Sequence, residues 1–269
     1  MRPTGVESDR RLAVRGRWIA SDADDHVIVH PITLPSGQVA TVSFVVSVVV
    51  SFVMSARCRR AGRYRGGMPG AQLIVIRHGE TEWSKQGRHT GRTDIELTER
   101  GRHEATDAAR TLDGWSVDRA YTSPLSRARE TAELVAPSCG LAVDDSLVEW
   151  DYGVFEGETT AQTRERIAGW SVWTHEIVGG ESVADVGARA DAFLERFDRE
   201  VDGGSAVVFA HGHFLAILIA RWCRLPAVEG RRFALATATV SLLGWHREDR
   251  VVRAINHRCG DALHPPERR

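Results

Sequence analysis

The tetrad Arg77-His78-Gly79-Glu80 closes a short apolar run, Leu73-Ile74-Val75-Ile76. A buried strand that stops abruptly at Arg-His-Gly places a cation and an imidazole at its carboxyl end, where open α/β sheets hold their ligands. Gly79 lets the backbone come close to whatever sits there. A second apolar run, 205–210, ends the same way in His211-Gly212-His213. Between the two, Thr122-Ser123-Pro124-Leu125-Ser126-Arg127-Ala128 sets Arg127 in the first turn of a helix, and Glu149-Trp150-Asp151-Tyr152-Gly153 supplies a carboxylate. Two histidines and two arginines make a compact cationic pocket suited to a phosphate. A backbone N–H at the helix start near Gly212 adds a donor. In that setting His78 reads as a nucleophile that takes a phosphoryl group. His211 and His213 taken as a metal pair lack a third and fourth ligand at workable spacing, so no metal is expected. His213 either lines the pocket or caps its helix, and the sequence leaves that open.

The elements that must position these residues alternate from Gln72 onward. Strands are predicted at 72–77, 118–122 and 205–210. Helices are predicted at 99–112 with Thr98 as N-cap, at 124–136 with Ser123 as cap and Pro124 at the first helical position, at 160–173, at 182–200 and at 213–225. Residues 240–245 and 251–257 read as a hairpin. Ser182 caps its helix with Asp185 in the capping-box place, and Glu181 near the site is a secondary possibility. Repeated βα units predict a three-layer α/β/α fold around a mainly parallel sheet.

The chain has 269 residues and a formal net charge of -1, divided as +5 over residues 1–70 and -6 over the remainder. An acidic main domain without a basic stripe argues against nucleic acid as a partner. The four cysteines are scattered, and no pair is spaced as CxxC. Free thiols in a reducing cytoplasm are therefore expected. Residues 1–67 differ from the rest. The run 39–54 is apolar but rich in β-branched residues and serine, and it is shorter than the roughly 20 residues of a membrane span. Three readings of 1–67 stand: upstream sequence before a true start at Met68, a disordered tail, or a membrane-associated segment. The first is preferred, so the expectation is a non-globular extension over 1–67, a globular domain over 68–269 and no membrane association.

The ordered set of motifs (Arg77-His78-Gly79-Glu80-Thr81, then Ser123-Pro124 with Arg127-Ala128 and Thr131-Ala132, then Glu149-Trp150-Asp151-Tyr152-Gly153, then His211-Gly212-His213) resembles the histidine phosphatase superfamily, also called phosphoglycerate mutase-like, from Leu73 to about His257. The resemblance implies a two-step reaction without cofactor. His78 would become phosphohistidine, while Arg77, Arg127 and His211 hold the phosphoryl oxygens. Glu149 would protonate the leaving oxygen and then activate water. Ser84 stands where the mutases carry Asn, and only 154–178 separates Gly153 from Gly179-Gly180-Glu181-Ser182, shorter than the mutase insertion. Both depart from the mutase pattern, the shorter lid favours hydrolysis, and the stretch from Thr81 to Asp94 and the Glu149–Gly153 segment are similar to the sugar-phosphate and acid phosphatase branch. The secreted acid phosphatases carry His-Asp where this chain has His211-Gly212. The expected activity is therefore hydrolysis of small phosphate esters, sugar phosphates first, with a phosphoglycerate mutase and a non-catalytic phosphate binder as alternatives. The expected substrate contacts are Arg77, His78, Ser84, His89, Thr90, Gly91, Arg127, Glu149, His211 and Gly212, with Arg88 nearby. Trp150, Tyr152, Trp170 and Trp173 either wall the pocket or fill the core. The expected partner is a small phosphorylated metabolite, and a homo-oligomer stays open.

Overall fold

The computed structural model describes residues 30–33, 39–42, 70–137 and 139–258. The expected boundary at 67/68 and most of the expected N-terminal extension lie outside these residues. Residues 1–54 form one unit, in which β1 (His30–Thr33) pairs antiparallel with β2 (Val39–Val42). The apolar run 39–54 is described only for β2.

The second unit carries a six-stranded sheet. Its strands are β3 (Gln72–Arg77), β4 (Arg119–Thr122), β5 (Leu141–Val143), β6 (Ser205–Ala210), β7 (Val240–His246) and β8 (Asp249–His257), in the order β5-β4-β6-β3-β7-β8. The pairs from β5 through β3 run parallel, and β7 and β8 add an antiparallel edge. β3 and β6 lie at the centre and read as continuous apolar runs because both faces are covered. Side chains alternate across the pleat. Leu73 and Val75 join a core with Phe193, Phe197 and Phe214, while Ile74 and Ile76 join a second core with Ala108 and Ala132. Hence α5 (Val183–Glu200) and α6 (Gly212–Trp222) cover one face, and α2 (Glu99–Thr111) and α3 (Ser126–Val135) the other. The mainly parallel three-layer expectation holds. Burying Phe193 and Phe197 completely contributes about 1.5–3 kcal/mol each.

The register explains why the two histidines meet. Arg77 lies opposite Ala210 across the β3/β6 ladder, so the next residues, His78 and His211, leave the sheet side by side. The His78 amide still donates to the Ala210 carbonyl at 2.9 Å. One strand further, Thr122 lies opposite Phe209, and the Ser123 amide donates to the Phe209 carbonyl at 3.0 Å. Three strand ends therefore deliver His78, Ser123 and His211 to one edge.

Several boundaries differ from those predicted. α3 begins at Ser126, not 124. Ser123 Oγ accepts from the Leu125 amide, and the Asp94 carboxylate takes the amide and hydroxyl of Ser126, so a distant residue caps the helix. The helix predicted over 160–173 is α4 (Thr160–Arg166), which ends at Ile167. Gly169 follows in the left-handed region with φ of 71°, and Trp170 N–H turns back to the Ile167 carbonyl. α6 ends at Trp222 rather than 225, with Arg224 at φ 59°. α1 (Glu82–Gln86) and β5 were not expected. Among the described residues, no helix is long and apolar enough to cross a membrane.

Candidate active site

His78 sits just past β3, 4% exposed. Its Nδ1–H donates to its neighbour's carbonyl, Gly79 O, at 2.7 Å. A carbonyl only accepts, so this contact puts the proton on Nδ1 and leaves the Nε2 lone pair free. Burial, reinforced by the Arg127 and Arg77 charges, holds the imidazole well below the usual histidine range. His78 is thus neutral at pH 7, the form in which an imidazole can attack an electrophile. Gly79 permits a close approach. A Cβ there would stand 2.3 Å from the Gly101 carbonyl oxygen at the start of α2. The Gly79 amide donates to Thr131 Oγ1 on α3, which in turn donates to the Arg127 carbonyl.

Arg77 is part-buried, and desolvation pulls its pKa down from the arginine value. One Nη1–H goes to the Leu235 carbonyl at 2.6 Å, but Nε has no partner although it is inaccessible to solvent. A buried guanidinium N–H with no acceptor is costly, and negative charge held near the guanidinium offsets that cost. Gly212 backs this arginine, with the Arg77 Cζ 3.3 Å from where a Cβ would be.

Arg127 is completely buried and committed to the protein. Nε donates to His211 Nδ1 at 3.2 Å, Nη1 to Thr93 O at 3.0 Å, and Nη2 to Thr90 O at 3.0 Å and Gly91 O at 3.1 Å. The Asp94 carboxylate stands 3.9 Å from Nη1. Because an arginine only donates, His211 Nδ1 must accept, and His211 Nε2–H is the donor in its 2.8 Å contact with Ser123 Oγ. The two imidazole rings stand 5.3 Å apart between centroids. Burial, with Arg127 next, keeps His211 neutral as well.

Glu149 is 5% exposed and holds three backbone donors. Oε1 accepts from Trp150 N at 2.9 Å and from Phe214 N at 2.8 Å, and Oε2 accepts from His213 N at 3.0 Å. The last two are amides of the first turn of α6, so that helix start binds a protein carboxylate. Oε2 keeps a lone pair on which a proton can reside.

A cavity of about 510 Å³ opens over Arg77, His78, Glu149 and Gly212. His89, Tyr152, Trp173 and His213 wall it, and Arg88, Arg164 and Arg231 stand on its margin. Tyr152 Oη and His213 Nδ1 lie 2.5 Å apart, which answers the open question about His213: its ring lines the pocket. His89 packs on Tyr152 at 4.8 Å and is pushed down to about 4 by burial, with His213 adding to the shift. Trp150 and Trp170 are core residues.

The expected contacts are only partly brought together. Arg77, His78, Ser84, His89, Thr90, Glu149 and Gly212 line the cavity. Ser84 Oγ is already engaged in the capping box of α1 with Thr81. Gly91 lies behind the wall, its amide on the Glu156 carboxylate and its carbonyl on Arg127. Arg127 and His211 stand behind His78 rather than on the cavity surface. The segment 231–235 was missed altogether. It contributes to Arg77 through a main-chain carbonyl, which no side-chain pattern announces.

Comparison with known proteins follows the same outline. A family model described as the histidine phosphatase superfamily (branch 1) matches residues 73–258. An acid phosphatase of Mycobacterium tuberculosis (strain ATCC 25618 / H37Rv) is 42% identical over 184 residues, 66% of this chain and 89% of that protein. The sedoheptulose 1,7-bisphosphatase of Saccharomyces cerevisiae (strain ATCC 204508 / S288c) is 31% identical over 181 residues, 56% of this chain and 67% of that one. The solved structure of the product of a Mycobacterium tuberculosis open reading frame superposes with a TM-score of 0.67 at 39% identity, covering 70% of this chain and 98% of that one.

Proposed function

The chain belongs to the histidine phosphatase superfamily and is an enzyme that hydrolyses small phosphate esters, and on that premise we propose that it does so without a metal, through a phosphohistidine on His78. In the first step His78 Nε2 attacks phosphorus in line, the N–P bond forms as the P–O bond to the alcohol breaks, and Glu149 gives its proton to the departing oxygen. Arg77 supplies its positive charge and the Nη N–H groups not taken by Leu235 to the phosphoryl oxygens. Arg127, standing behind His78, adds its positive charge. His211 turns its Nε2–H from Ser123 to a phosphoryl oxygen. Preorganised donors of this kind are worth several kcal/mol each in a dry site. In the second step Glu149 takes a proton from water, the water oxygen bonds phosphorus, and the N–P bond breaks to restore neutral His78.

The observation that carries this reading is the His78 ring itself: Nδ1 is committed to Gly79 O, Nε2 is free, and the ring is buried beside two cations and held neutral. The arginines at the cavity margin, Arg88 and Arg164, with the aromatic wall of Tyr152 and Trp173, suit small sugar phosphates. The short 154–178 connection supports hydrolysis over return of the phosphoryl group to an organic acceptor. We place the enzyme in the cytoplasm, where such metabolites and reduced thiols are found. The test is turnover of p-nitrophenyl phosphate. It persists in EDTA and is abolished by His78→Ala. Loss of activity in chelator together with a harmless His78→Ala would overturn the mechanism.

A further inference from the structure

Glu149 lies on irregular chain, between one 3-10 turn at Asp145–Leu147 and another at Gly153–Phe155. No ladder of regular hydrogen bonds holds its backbone, yet a misplacement of about 1 Å costs on the order of 100-fold in rate. What holds it comes from α5. Arg189 donates Nε to Glu181 Oε1 at 2.7 Å and Nη2 to Glu181 Oε2 at 2.9 Å, a bidentate pair. Its other donors go to main-chain carbonyls of the acid-bearing segment: Ser146 O at 2.7 Å, Val148 O at 3.1 Å and Glu149 O at 3.5 Å. All five N–H groups of the guanidinium are thereby used. Glu181 grips the other flank. Its Oε2 accepts from Asp151 N and its own N–H donates to Asp151 O, both at 3.0 Å, while its carbonyl accepts from Trp150 Nε1 at 2.7 Å. Each residue from Val148 to Asp151 is tied to one member of the pair. Two turns along the same face of α5, Arg196 bonds Asp144 and Ser146.

Neither Arg189 nor Glu181 lines the cavity, so neither touches substrate. The pair is part-exposed, at 20% and 17%, where ion pairs add little to stability on their own. The Arg189 guanidinium also lies 5.3 Å from the Phe214 ring, and Phe214 provides one of the amides on the Glu149 carboxylate. One guanidinium thus holds the Glu149 backbone and lies against the ring of a residue whose amide binds the carboxylate.

We propose that Arg189, closed by Glu181, is a positioning residue that sets the Glu149 carboxyl for proton transfer to the leaving oxygen. The inference rests on Glu149 being the acid, and the experiment separates the two claims. Glycerol phosphate needs a proton on its departing alkoxide, whereas p-nitrophenolate leaves without one. kcat/KM reports the steps only through release of the alcohol, so water attack on the phosphoenzyme does not enter. Glu149→Gln should lower kcat/KM for glycerol phosphate by about 100-fold or more, and that for p-nitrophenyl phosphate far less. Arg189→Lys should show the same split, with a loss of roughly tenfold or more on the alkyl ester and under about threefold on the aryl ester. The double variant should be no worse than Glu149→Gln alone. Equal losses on both esters in Arg189→Lys, or no loss, or additive losses in the double variant, would overturn the positioning role while Glu149→Gln still shows the split. Absence of the split in Glu149→Gln removes the acid assignment and this inference with it. If Arg189→Lys does not fold, Glu181→Gln carries the same comparison. Failure of both to fold would assign the pair to stability alone and overturn the proposal.

Discussion

Lowering the pH from 7.5 to 5.5 should take about 4 kcal/mol or more from the stability of the main domain. His78, His89, His211 and His213 are all held below the usual histidine range, burial being the largest cause in each. In the unfolded chain they titrate near pH 6.5. A depressed native pKa means that below this value the unfolded chain binds protons that the native fold refuses, so stability falls as pH falls. Each histidine that stays neutral in the fold loses about 1.4 kcal/mol over this interval. His89 charges in the native state only near 4, so its loss runs over the whole interval. His78, His89 and His211, the most strongly shifted, account for about 4 kcal/mol between them, and His213 acts in the same direction. Against a total of about 5–15 kcal/mol for an ordinary domain, this is a large share. Urea unfolding at the two pH values, followed by tryptophan fluorescence, measures it. With a slope of about 1–3 kcal/mol per molar urea, the midpoint should drop by about 1 M or more. A loss under about 1.4 kcal/mol, the contribution of a single imidazole, would mean that these rings are charged in the native protein and would refute the argument.

Two further outcomes follow from the same geometry. Gly79→Ala drives a methyl to 2.3 Å from the Gly101 carbonyl oxygen, so α2 must retreat from the His78 loop. A cost of about 1–3 kcal/mol is expected, visible as a Tm lowered by several degrees together with a fall in kcat, and an unchanged Tm would contradict the close approach. Because His78 is held neutral, the acidic limb of kcat/KM should lie well under the usual histidine value of about 6.5, and an apparent pKa at that value in the p-nitrophenyl phosphate profile would contradict the assignment.

The catalytic edge was legible because it is written in continuous apolar runs that stop at charged residues. β3 and β6 have no alternation to confuse their reading, and the residues after Arg77 and Ala210 fall together once the strands pair. Helix ends were less legible wherever the deciding partner is remote in sequence. Ser123 reads as a cap from its neighbours, but Asp94 does the capping and Ser123 is left for His211. The stop of α4 has a local sign in Gly169, overridden in the sequence by the apolar spacing that runs on to Trp173. β5 is three residues long and its Val143 is 56% exposed, too short and too wet for any periodic signal. Arg189 was invisible because its acceptors beside Glu149 are main-chain carbonyls some forty residues away, and one arginine among many on polar helix faces carries no mark of that. Gly91, expected at the substrate, belongs to the scaffold instead. Its lack of a side chain serves the Trp150 carbonyl, which would lie 2.5 Å from a Cβ.

The most direct test is to quench the enzyme in mid-turnover with 32P-labelled substrate and locate the label. The account predicts acid-labile, alkali-stable phosphate on the peptide that contains His78, formed in Glu149→Gln as well if the substrate's alcohol leaves readily, and absent from His78→Gln. Label that survives in His78→Gln, or rapid turnover in the native enzyme with no phosphohistidine at any quench time, would contradict it.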